Sequence, residues 1–153
     1  MEDIYQDFFS AFLEQTGAPE NLYCHRLTYF GNSQEESVNI LEQLLRGEKT
    51  AISHCIPHYI VTHAPMPKAG DYTMVTDFYG NPCCILRTEG VVIEPVNELG
   101  EEISARECQG DHEAWLRRKQ EEFKSLAKRS GFHYNEGLPV LMELVEVVFP
   151  VKS

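Results

Sequence analysis

Near the start of the chain, Ile4, Phe8, Phe12 and Leu13 recur at helical spacing and Gly17 with Pro19 ends the pattern, so residues 2–15 are predicted as an amphipathic helix. A strand-like run over 23–30 breaks at Gly31 and Asn32. Ser33 and Glu36 then have the spacing of a capping box ahead of Val38, Leu41, Leu44 and Leu45, which predicts a second helix ending at Gly47. Over 49–61 the β-branched and aromatic residues show no helical stripe, so extended chain is expected, broken near Pro57. Pro65, Pro67, Gly70 and Asp71 mark a loop. Residues 72–78 alternate as a strand, 79–82 carry turn chemistry, and 83–88 return as the partner of a hairpin.

Residues 91–96 read as another short strand, and 97–110 as a polar loop. Asp111 can cap a helix that carries Trp115, Leu116, Phe123, Leu126 and Ala127 on one face and ends near Gly131. The Val- and Leu-rich segment 139–151 suits a closing strand. Short strands dominate and helices flank them, which predicts an α+β fold: a small β-barrel or strongly curved sheet with helices at its rim. Residues 1–24 are expected to pack as an N-terminal helix on a single domain of residues 25–153.

Composition narrows the function. Lys and Arg number 13 against 24 Asp and Glu, a formal net charge of −11, and proteins that hold long nucleic acid through its phosphates carry the opposite field. Any nucleic-acid role must therefore use a local basic cleft or a small ligand; DNA is not an expected partner. The apolar fraction of 42% supports a packed core and argues against disorder. No basic start, cleavage site or long uncharged run points to a secretory signal or membrane span. Five cysteines, odd in number and without a Cys-x-x-Cys pair, suggest reduced thiols and a cytoplasmic protein.

Four groups of residues could carry chemistry. Gly47, Lys49, Thr50 and Ser53 stand where a helix gives way to a strand; the plain reading is a left-handed glycine cap beside a solvated lysine, and the functional one is an anion or carbonyl anchor or a base. Glu107 and Asp111 flank a polar segment and could serve as acid and base, or simply cap the next helix. His54, Cys55, His58 and His63 are metal-ligand types, but their spacing matches no closed zinc pattern, so no metal is expected. Arg117, Arg118, Lys119, Lys124, Lys128 and Arg129 place 6 of the 13 positive charges within one helix. Interleaved glutamates suit salt bridges on a solvated face; an RNA phosphate is the alternative occupant. Signatures of a P-loop, a Rossmann turn, a nucleophile elbow and a zincin helix are all missing from the sequence.

Taken in order, Gly47-x-Lys49-Thr50, Val75-x-Asp77-x-x-Gly80-x-Pro82, Ile85-x-x-Thr88, Glu107 with Gly110-Asp111, Trp115, and Glu143-x-Val145-Glu146-x-Val148 resemble the ASCH domain family over roughly residues 25–150. The resemblance implies a PUA-like β-barrel whose cleft lies beside the lysine motif, with RNA or nucleoside ligands. Small bacterial members that look similar hydrolyse N4-acetylcytidine through a lysine, a hydroxyl residue and a glutamate, which implies Lys49 and Glu107 here. Those members place a threonine three residues after the lysine, where this chain has Ile52, so Thr50 and Ser53 stand as substitutes. On a straight strand Lys49 and Ser53 would share a face roughly 13 Å apart, and Thr50 would point the other way. Asp77, Thr88, Asp111, Trp115 and Arg117 fall in matching motifs and are the expected ligand-binding residues. The chain departs from the pattern at Cys108 after Glu107 and at Leu116 after Trp115, with no histidine following in that helix.

The expected function is thus a nucleoside or RNA-ligand cleft that hydrolyses the amide of a modified nucleoside, without a cofactor. The alternatives are a non-catalytic RNA-binding module, in which Tyr72, Tyr79 or Trp115 stack on bases, and a metal-independent ribonuclease using the same cleft.

Overall fold

Strands Arg26–Tyr29 (β1), Ala51–Cys55 (β2), Tyr72–Thr76 (β3), Pro82–Pro95 (β4) and Pro139–Phe149 (β5) form one sheet in the order β1-β3-β4-β5-β2 in the computed structural model, which describes residues 3–19, 21–107 and 110–151. β1 runs parallel to β3, and the other neighbours are antiparallel. The sheet curls into a half-barrel whose two edges are β1 and β2. The expected α+β fold is therefore present, with the barrel left open along the seam between those edges.

β4 is the strand that makes the curl. It pairs with β3 through its first half and with β5 along most of its length, and its register shifts between Ile85 and Leu86 and again between Thr88 and Gly90. The two short strands expected over 83–88 and 91–96 are one bulged strand. The extra residue at Glu89 is absorbed as a bulge that bends the sheet without ending the pairing.

Helices Asp3–Thr16 (α1), Gln34–Leu45 (α2), Ile56–Thr62 (α3), Glu101–Glu107 (α4) and His112–Ser130 (α5) surround the sheet. Ser33 caps α2 by accepting the Glu36 N–H, while the Glu36 carboxylate reaches back to the N–H of Asn32. Gly47 follows at φ +76°, the left-handed conformation that closes the helix. Asp111 caps α5 by accepting the Ala114 N–H.

Two segments differ from the sequence expectation. Residues 56–62 are helical because Pro57 sits in the first turn, where a missing N–H costs nothing, so it starts a helix instead of breaking a strand. The polar segment before Asp111 contains α4, whose inward positions are Ser104 and Glu107. A helix that turns polar groups inward has no apolar stripe to reveal it.

The core lies on both faces of the sheet. Ala51, Val140 and Met142 pack against Trp115 and Phe123 of α5, whereas Val75, Leu86 and Val145 pack against Leu41 and Leu44 of α2. Phe8 and Phe12 of α1 seat on Phe149. Burial of these apolar groups fixes α5 and α2 on either side of the β2 edge, where the polar side chains collect.

Candidate functional site

The open seam holds a cleft of about 450 Å³, bordered by Thr28 of β1 on one side and by Ile52, Ser53 and His54 of β2 on the other, with Phe30 and Tyr59 adding aromatic surface. That volume is within the range of small-molecule sites, ~300–1,000 Å³. A larger groove of about 610 Å³ between α1 and β1 is walled mainly by apolar side chains such as Phe9, Leu22 and Leu27, and Glu107 does not reach it.

Glu107 is the centre of the polar end. Its side chain leaves the last turn of α4 and enters the space between β2 and α5, where it is 2% exposed. Oε1 accepts the Ser53 hydroxyl at 2.9 Å and the Trp115 indole N–H at 3.0 Å, and it lies 3.3 Å from the Lys119 ammonium. Oε2 accepts from Lys49 Nζ at 3.3 Å and from the Ser53 N–H at 3.3 Å. The N–H of an edge strand, which would otherwise face solvent or another chain, is thus taken by a carboxylate.

Lys49 is 4% exposed and also donates to the Glu107 backbone carbonyl at 3.0 Å. The neighbouring Thr50 N–H donates to the Arg106 carbonyl at 2.7 Å, so two donors satisfy the C-terminal carbonyls of α4 and set its orientation. Burial alone would push the Glu107 carboxyl up; the ammonium groups of Lys119 and Lys49, with the Ser53 and Trp115 hydrogen bonds, outweigh it and hold the group below the usual glutamate range. The site is a buried anion held between two cations, with a hydroxyl attached.

A second carboxylate lies on the other face of β2. Glu143 of β5 is 3% exposed; its Oε1 is 2.8 Å from His54 Nε2, its Oε2 accepts the Thr88 hydroxyl, and the Arg26 guanidinium lies 3.6 Å away. Burial raises the Glu143 carboxyl, but His54, Thr88 and Arg26 together bring it below the ordinary value. The other ring nitrogen of His54 meets the Tyr59 hydroxyl at 2.7 Å. Arg26 continues to Asp71 at 3.1 Å, which ties β1 across the interior to β5.

Lys49, Ser53, Glu107 and Trp115 are brought together. Lys49 and Ser53 do not share a straight strand, because Lys49 precedes β2, and both reach the same carboxylate instead. Thr50 is turned to Arg106 Nε at 2.9 Å, outside the cluster. Thr88 belongs to the Glu143 group. Asp77 anchors the β3–β4 turn through the N–H groups of Tyr79 and Asn81, and Asp111 is an exposed helix cap. Arg117 is exposed on α5. Trp115 has 0% exposure, so it offers no face for base stacking and acts as a donor to Glu107.

Three residues of these two polar clusters carried a signal that the apolar pattern hid. Lys119 is four residues after Trp115 and four before Phe123, which places it on the buried face of α5, not on the solvated basic strip. Glu143 occupies an inward position of β5, and His54 lies two residues from Ile52 on the same strand face. Among the described residues no group of His, Cys, Asp and Glu is arranged to hold a metal ion, and no helix is long and apolar enough to cross a membrane. Cys108 lies outside the described residues.

Similar structures reproduce the fold. An ASCH domain from Lactobacillus crispatus JV V101 superposes with a TM-score of 0.87 at 24% identity, covering 97% of this chain and 96% of that one. A protein from Enterococcus faecalis V583 gives a TM-score of 0.83 at 23% identity over 96% of this chain and 89% of that one. No curated protein matches the sequence. The family model described as the ASCH domain matches residues 26–149, from the first residue of β1 to the last of β5, and the chain belongs to the ASCH domain family.

Proposed function

We propose that the cleft hydrolyses the amide of a small modified nucleoside such as N4-acetylcytidine. The observation that carries this reading is the Ser53 hydroxyl, which lines the cleft and donates at 2.9 Å to a carboxylate already paired with Lys49 and Lys119. A carboxylate that orients a hydroxyl, with ammonium groups beside it, is the arrangement an activated nucleophile needs.

Ser53 Oγ attacks the amide carbonyl carbon, and its proton passes to Glu107 as the new C–O bond forms. The adjacent ammonium groups oppose the negative charge of the tetrahedral intermediate. Glu107 is held acidic, so it keeps the proton only briefly and returns it to the nitrogen as the C–N bond breaks. Water then attacks the acyl-serine by the reverse use of the same groups, releasing acetate and restoring the hydroxyl. Ile52 occupies the position where a threonine was expected, and Ser53 supplies the hydroxyl from the next residue.

A neutral nucleoside needs no broad positive field, which fits a chain of net charge −11. The RNA-binding alternative draws less support. Lys119 is turned inward to Glu107, and Lys124 pairs with Glu121 at 3.8 Å, which weakens the basic strip on α5. The test is acetate release from N4-acetylcytidine by the purified protein, compared with Lys49→Ala and Glu107→Ala. Turnover lost in both folded variants supports the proposal; wild-type protein that releases no acetate overturns it.

A further inference from the structure

On the wall formed by β2 and α3, the hydroxyl of Tyr59 lies 2.7 Å from His54 Nδ1, and His54 Nε2 lies 2.8 Å from Glu143 Oε1. Glu143 is ionised and can only accept, so Nε2 carries a ring proton, and the relay is the arrangement in which that proton is the only one on the ring. Nδ1 is then an acceptor, and the hydrogen bond to it uses the Tyr59 proton. Thr88 donates to the second Glu143 oxygen and the Arg26 guanidinium lies beside it, which holds the carboxylate in place. Burial pushes the Tyr59 phenol up, so it stays neutral. Its oxygen retains lone pairs but has no proton left to give.

We propose that Tyr59 is a specificity-determining hydrogen-bond acceptor in the cleft, and that His54 and Glu143 are positioning residues that commit its proton. A ligand that presents an N–H to this wall is favoured over one in which that nitrogen is alkylated. This deepens the hydrolytic reading above and rests on it for the ligand class: the selected group is the N–H of an N-monosubstituted amide. A free phenol would not discriminate in this way, because it could donate or accept as the ligand required.

The experiment uses Ser53→Ala protein, so that ligand is not consumed, and measures binding of N4-acetylcytidine and of its N4-methylated analogue by calorimetry. The N–H ligand is expected to bind roughly fivefold to tenfold more tightly, the effect of one neutral hydrogen bond. Tyr59→Phe keeps the ring and removes the acceptor, and should collapse that ratio; a purely steric penalty from the methyl group would survive the substitution. An unchanged ratio in Tyr59→Phe, or no binding of either nucleoside, overturns the inference. Nitrogen-15 spectra of His54 give a second reading without ligand: a protonated Nε2 and bare Nδ1 are expected, and the opposite tautomer or a doubly protonated ring contradicts the relay. If the wild-type protein releases no acetate but the ratio and its loss in Tyr59→Phe both hold, the hydrolytic reading falls and this one stands. If acetate is released but the ratio ignores Tyr59, the reverse follows.

Discussion

Lys119 and Glu107 meet at 3.3 Å between α5 and α4, on the same carboxylate oxygen that accepts the Ser53 hydroxyl. The lysine is therefore part of the cleft, although its neighbours in sequence form an exposed basic strip. Lys119→Met keeps most of the stem packing and removes the ammonium, leaving a buried carboxylate with one cation fewer. Urea denaturation should show a loss of about 1–3 kcal/mol, while the same change at exposed Lys128 should stay within about 0.5 kcal/mol. Equal effects at the two positions would contradict the inward placement of Lys119.

Trp115 is expected to act as donor and packing residue together. Trp115→Phe removes the indole N–H from Glu107 and some core volume, so a loss of about 2–4 kcal/mol is expected in denaturant titration. The catalytic effect should go beyond stability. Because the Glu107 carboxylate loses one of the groups that fix it, turnover of N4-acetylcytidine should fall at least about tenfold under conditions where the variant remains folded.

Acid should weaken the fold through two carboxylates. Glu107 and Glu143 both titrate below the usual range, since their cationic and hydrogen-bonding partners outweigh burial. A group with a lowered folded-state pKa contributes its full stability above the unfolded value, about 4.3 for glutamate, and loses it as pH falls through the folded value. The urea midpoint contributed by these groups should hold down to about pH 5 and drop below about pH 4.3. Glu107→Gln, less stable at neutral pH, should show a shallower fall in the acid window. A wild-type curve flat to pH 3, or a variant with an equally steep acid fall, would count against the ion pairs.

Thr50 separates the two hydroxyls that the sequence left open. Its side chain accepts from Arg106 Nε at 2.9 Å and does not touch Glu107. Thr50→Val should cost about 1 kcal/mol in stability and leave acetate release within about twofold, since no reacting group is removed. A large loss of turnover in folded Thr50→Val would return Thr50 to the catalytic group.

The long amphipathic elements were legible because their spacing reports burial directly. α1, α2, α5 and β5 follow from Phe12, Leu41, Trp115 and Val145 at the periods their structures require. α3 and α4 were not, because Pro57 reads equally as a breaker and as a first-turn residue, and because Glu107 replaces an apolar residue on an inward face. Lys49 and Glu107 were legible as residue types, whereas their contact depends on where the α4 C-terminus meets the turn before β2. Lys119 was concealed by its charge. The His54, Tyr59 and Glu143 relay joins β2, the helix that follows it and β5, and the β2–β5 pairing spans about ninety residues of sequence, so no local pattern announces it.

Ser53→Ala tests the hydrolytic assignment by removing one oxygen atom and little else. With N4-acetylcytidine as substrate, the rate of acetate release should fall by at least about a thousandfold relative to the wild type, with the folded state retained. Acetate release at the wild-type rate from Ser53→Ala would show that the hydroxyl held by Glu107 is not the nucleophile.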